Sequence, residues 1–178
     1  SLLKEAALVT FGILFLILSA KISVPMWPVP VTMGTFAVLG LGALYGPRLG
    51  LVTISLYFLV GAAGFDVFHG SSLTNNGLSY MSGPTGGYLF GYLLAILLLG
   101  LAARAGWDRS PIRMAMAMLA GNLVIYVPGI LWLGVLLGWD QPILAWGLTP
   151  FLVGDGIKLT LLAFLLPAAR KLFRKTID

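Results

Sequence analysis

Cysteine is absent from this 178-residue chain, which excludes disulfides, thiolate nucleophiles and cysteine-bound metals. Charge is almost as scarce: 10% of residues are charged and 59% hydrophobic, where soluble domains run to about 25% and about 45–50%. A single histidine leaves no cluster from which to build a metal site. Gly-x-Ser-x-Gly, His-Glu-x-x-His and a phosphate-binding Gly-Lys-Ser/Thr loop are all missing, so no acyl-transfer, zinc-hydrolase or nucleotide-binding constellation emerges. Without a nucleotide site, any uphill transport has to draw on a partner chain or an ion gradient. What is abundant is apolar length. With a mean hydropathy of +0.99, the chain reads as a polytopic helical membrane protein forming one transmembrane domain over residues 1–178. Its net charge of +5 then speaks to membrane topology rather than to nucleic acid.

Prolines, glycines and charges cut the sequence into six apolar spans, at residues 6–20, 33–45, 49–63, 88–103, 112–137 and 148–166. The first resembles a signal-peptide core, but the six-span topology requires it to stay. The sequence opens on Ser1 rather than methionine, so a trimmed N-terminus is expected. Pro25, Pro28 and Pro30 prevent regular helix over residues 22–31, Gly46-Pro47 ends the second span, and Pro128-Gly129 predicts a kink in the fifth. Residues 64–87 form a polar Gly/Ser/Asn-rich stretch, longer than the roughly 12–15 residues at which loops are usually functional or disordered. The first three spans are short against the ~20 residues of a bilayer crossing. Irregular backbone at membrane depth is tolerated only inside protein or along a cavity, so a pocket is expected beside residues 22–31 and 64–87.

Orientation follows from the basic residues. With both termini cytoplasmic, the inner segments hold Lys4, Arg48, Arg104, Arg109, Arg113, Arg170, Lys171, Arg174 and Lys175, and the outer ones hold Lys21 alone. Asp108, Arg109 and Arg113 read as a solvated inner loop, and the 64–87 loop faces outward.

Asp155 and Lys158 are the only charges in the last span. Each charge costs roughly 2.5–3.5 kcal/mol at membrane depth, and an i, i+3 spacing puts both on one helix face. Gly154 and Gly156 flank the acid, leaving its backbone open to close approach. From its outer end the span places Asp155 roughly 10 Å deep. Asn75 and Asn76 lie on the same side, and Asn122 and Tyr126 share a face of the fifth span. Together they describe an outer-half cavity with apolar walls and few polar anchors, the usual anatomy of a small-molecule site. Read more plainly, Asp155 and Lys158 neutralise each other, Asn122 and Tyr126 make interhelical hydrogen bonds, Asn75 and Asn76 shape turns, and His69 is a loop residue.

Four segments carry a resemblance: Pro28-Val29-Pro30-Val31-Thr32, Gly46-Pro47-Arg48-Leu49-Gly50, Gly83-Pro84-Thr85-Gly86-Gly87-Tyr88, and Pro150-Phe151-Leu152-Val153-Gly154-Asp155-Gly156-Ile157-Lys158. In order and spacing, across nearly the whole chain, they resemble the BioY family of biotin-capturing S components of energy-coupling factor transporters. The resemblance implies an all-α, six-helix transmembrane bundle with both termini cytoplasmic, and high-affinity biotin uptake across the cytoplasmic (inner) membrane. It implies no enzyme activity or cofactor in the chain itself, biotin and membrane lipid as partners, and a coupling subunit with two ATPase subunits. By the same resemblance Asp155 and Lys158 contact the ligand, Asn75 or Asn76 supplies the outer-loop asparagine, and Tyr88 forms pocket wall. Gly34 and Leu89 stand where many or some relatives carry glutamine and arginine. The rival readings are an S component for another small vitamin and a structural membrane protein in which the Asp155–Lys158 pair is internal.

Overall fold

Runs of leucine, isoleucine and valine broken only at proline and glycine favour long helices, and the computed structural model is nearly all helix over the residues it describes, 1–72 and 74–177. Helix α1 spans Leu2–Lys21, starting earlier than the first apolar run suggested. The proline-rich segment turns back as a small hairpin, in which β1 (Ser23–Val24) pairs antiparallel with β2 (Val31–Thr32) around a cis Trp27–Pro28 bond. Next come α2 (Gly34–Ala62), the short α3 (Gly77–Met81) inside the polar stretch, α4 (Gly86–Arg104) and α5 (Pro111–Leu137). A short α6 (Ile143–Gly147) leads into α7 (Thr149–Ile177). Helix α5 continues through Pro128.

Among the described residues, five helical segments are long and apolar enough to cross a membrane, and the second of them is itself a hairpin. Gly46 breaks α2 with φ 74° and ψ 178°, a backbone region open essentially to glycine alone. A β-carbon on Gly50 would lie 3.9 Å from the Gly42 Cα, whereas residues eight apart in a straight helix are about 12 Å apart. The arms 34–45 and 47–62 therefore run side by side, and the bundle has six helical arms. Gly46→Ala forces a side chain into that conformation and is expected to cost about 1–3 kcal/mol, measured as a lower unfolding midpoint in detergent.

Glycines let these arms close on one another, as small residues do in membrane bundles. Gly42 packs against Ile96 and Leu99 of α4, and Gly100 of α4 meets the Gly46-Pro47 backbone. Helix α2 lies at the centre, with 67% of its most apolar window buried, against 22% for α1. On α5, Leu123, Val127, Leu131 and Val135 recur every four residues and are all exposed, forming a stripe suited to lipid.

Charge marks one end of the bundle. Lys4, Arg48, Arg104 and Arg170 all border an open cleft of about 860 Å³. Side chains of Lys171, Arg174 and Lys175, counted in the same basic set, lie outside the described residues. Asp108 corrects one expectation. It is not solvated but buried at 8% exposure, ion-paired with Arg170 of α7. A loop carboxylate is held this way when a cation from a distant part of the chain folds over it, which local sequence does not reveal. Arg109 and Arg113 are exposed as expected.

Candidate functional site

Helix α7 presents Asp155 and Lys158 inward at 5% and 6% exposure, next to the start of α2 and the middle of α5. The Lys158 ammonium donates to the Asp155 carboxylate at 3.0 Å, the Thr35 hydroxyl at 3.0 Å and the Thr32 carbonyl at 2.8 Å. Those three acceptors match its three donors. On the carboxylate side, Asp155 accepts from the Tyr126 hydroxyl through Oδ2 and from Thr35 through Oδ1. The pair is thus neutral as a unit and tied to three elements, which is how a buried charge pair becomes tolerable.

This cluster backs onto a small cavity of about 60 Å³, smaller than the roughly 300–1,000 Å³ of ordinary small-molecule pockets. Lys158, Thr35 and Tyr126 reach its wall from one side, and Tyr88, Tyr92 and Phe151 add aromatic surface. Val29, Pro30 and Thr32 close it from the proline-rich hairpin, and Phe68, His69, Tyr80 and Thr85 from the 64–87 stretch. The cavity therefore sits beside both irregular segments. Its tyrosines are anchored to protein: Tyr88 donates to the Gly147 carbonyl at 2.8 Å and Tyr57 to the Val67 carbonyl at 3.0 Å. A β-carbon at Gly34 would come within 2.7 Å of the Tyr92 hydroxyl, so no side chain fits there while Tyr92 holds its place.

The 64–72 loop is pinned beside the cavity by bonds from Lys21 and Ser71. Lys21, at the end of α1, donates to Asp66 at 2.5 Å and to the Phe68 carbonyl at 2.9 Å. Ser71 donates to the same two acceptors. Phe68 is thereby pushed inward, stacked on Tyr80 with ring centroids 5.0 Å apart. The hydrogen bond from Lys21, and next that from Ser71, hold the Asp66 carboxyl below its usual range. A depressed carboxylate stabilises the fold above its unfolded pKa and loses that contribution as pH falls through its folded value. The loop should stay pinned at neutral pH and loosen only in acid, below about pH 4. Amide-exchange protection factors across residues 64–72 should drop there, and Asp66→Asn should remove the pH dependence.

Of the five residues singled out from sequence, Asp155 and Lys158 come together, and Tyr88 lines the same cavity. Asn75 and Asn76 do not reach it. Asn75 is exposed in a turn with Ser72, and Asn76 is the half-buried residue preceding α3. Gly154 and Gly156 have open space around them. Thr32, Thr35 and His69 were not anticipated as site residues. A threonine in the hairpin and another at the start of an apolar helix carry no sequence signal of a lysine partner far along the chain.

Three comparisons with known proteins bear on this arrangement. A family model described as the BioY family matches residues 1–175. The chain is 36% identical over 155 residues to a protein of Pyrococcus horikoshii named a probable biotin transporter BioY, covering 87% of this chain and 89% of that one. It is 32% identical over 157 residues to the biotin transporter BioY of Thermotoga maritima, covering 88% and 90%. In fold it matches the crystal structure of an S-component for biotin from an ECF-type ABC transporter, with a TM-score of 0.81 at 24% identity over 95% of this chain and 92% of that one. With six helical arms, a family model matching residues 1–175 and these relatives, this multi-pass membrane protein belongs to the BioY family.

Proposed function

We propose that this chain captures biotin from the outer side of the cytoplasmic membrane and serves as the substrate-binding subunit of an energy-coupling factor transporter. One observation carries the reading: within a BioY-family bundle, a buried, mutually neutralised Asp155–Lys158 pair backs onto a small, aromatic-walled cavity. Biotin has a neutral ureido ring with paired N–H donors and one carbonyl. Asp155 accepts from a ureido N–H when Tyr126 yields its place, and Lys158 exchanges its bond to the Thr32 carbonyl for one to the ureido oxygen. Neither exchange changes the charge of the pair. Asn75 or Asn76 joins only when the outer loop moves. Such movement is required in any case, because the cavity as it stands is too small for a bicyclic ligand.

The basic cleft at the far end supports an orientation with that end cytoplasmic, since lysine and arginine accumulate on that side. Both termini then lie inside, and the cavity opens outward beneath the 64–72 loop. With no nucleotide-binding motif in the sequence, energy for uptake comes from a coupling subunit and two ATPase subunits. Uptake of labelled biotin into biotin-auxotrophic cells tests the reading. Cells carrying the chain together with those subunits should accumulate biotin, and excess riboflavin, thiamine or pantothenate should not compete. Accumulation of one of those vitamins in place of biotin would assign the chain to a different substrate.

A further inference from the structure

Most polar side chains on the cavity wall already have a hydrogen-bond partner within the protein. Lys158 spends its donors on Asp155, Thr35 and Thr32. Tyr126 bonds Asp155, Tyr88 bonds Gly147 and Tyr57 bonds Val67. His69 lines the same cavity, is half-buried, and makes no hydrogen bond or ion pair. Its backbone is held by both neighbours: Phe68 is buried at 2% exposure with its carbonyl bonded by Lys21 and Ser71, and Gly70 turns the chain away at φ 65°. A half-buried imidazole at a cavity wall with both nitrogens unused is an available hydrogen-bonding group.

Electrostatics decide what it receives. The Asp155–Lys158 pair is neutral as a unit, so it offers a ligand carboxylate no spare cation. The neutral end of a ligand suits that place, and an anionic end does not. We propose that His69 is the group that receives the ligand's carboxylate at the loop side of the cavity, setting specificity for an acid over its neutral derivatives. Resting on the biotin reading above, this orients the molecule: ureido ring toward α7, carboxylate toward the 64–72 loop. Lys21 does not compete for the role, since it is occupied by Asp66 and does not line the cavity.

Calorimetric titration of the detergent-purified chain with biotin and with biotin methyl ester separates the possibilities. A hydrogen bond to a charged group is worth roughly 1.5–3 kcal/mol, so His69→Ala should weaken biotin about 10- to 100-fold while changing affinity for the ester little. His69→Gln, which keeps an N–H donor, should recover part of the loss. Unfolding midpoints of both variants should match the wild type. Unchanged biotin affinity in His69→Ala, or an equal loss for biotin and ester, overturns the assignment while leaving biotin binding intact. A wild-type chain that binds neither compound overturns the biotin reading itself, and this assignment with it.

Discussion

Lys158→Ala abolishes measurable biotin binding and lowers the unfolding midpoint of the purified protein; this is the largest effect expected of any single substitution. The lysine neutralises Asp155 at 3.0 Å in a site where both side chains are under a tenth exposed. Removing one partner of a buried pair leaves an uncompensated charge and costs about 3–5 kcal/mol. It also releases the Thr32 carbonyl and the Thr35 hydroxyl at the start of α2. The double variant Asp155→Asn/Lys158→Ala removes the stranded charge, so much of the stability should return. Binding should not, because the group that accepts ureido N–H and the group that donates to its carbonyl are both altered. A purely structural pair predicts the reverse pattern: stability tracks the pair, and no saturable ligand exists in any variant. Thermal unfolding and calorimetry on the three proteins distinguish the two outcomes.

Gly91→Val should be nearly as damaging, for a reason unrelated to chemistry at the site. Helices α4 and α5 touch backbone to backbone here. A β-carbon on Gly91 would fall 2.6 Å from the Ile125 Cα and 2.9 Å from its carbonyl oxygen. Backbone cannot rotate aside as a side chain can. Overpacking typically costs about 1–3 kcal/mol and sometimes more, and a β-branched residue against backbone belongs at the upper end. Ile125 and Tyr126 both line the cavity, so separating α4 from α5 also displaces the hydroxyl that steadies Asp155. The expected result is a lower unfolding midpoint with weakened biotin binding. Gly154→Ala is the control: no atom lies within 4 Å of its added carbon, and a helix gains roughly 1 kcal/mol in propensity from that exchange.

The parts of this molecule legible in its sequence are those where local chemistry forbids alternatives. Three close prolines cannot continue a helix, and residues 22–32 form a hairpin. Gly46-Pro47 cannot extend one, and the chain reverses there. Two charges in a long apolar run have to find each other or a ligand, and Asp155 and Lys158 meet. A glycine- and serine-rich stretch too long for a plain connector becomes cavity wall through Phe68 and His69. What sequence did not reveal depends on which distant residues are brought together. Asp108 looks solvated until Arg170 covers it. Thr35 looks like an ordinary helix residue until Lys158 reaches it. His69 looks like a loop residue because most of the cavity wall around it comes from α1, α2, α4, α5 and α7, far along the chain.

The central claim is that this chain binds biotin at the Asp155–Lys158 site, and one measurement bears on it most directly: calorimetric titration of biotin into the purified chain, freed of any biotin carried through purification. The account predicts saturable binding of one biotin per chain, lost in Lys158→Ala and undisturbed by excess riboflavin, thiamine or pantothenate. Absence of saturable biotin binding, or wild-type affinity retained in Lys158→Ala, would contradict it.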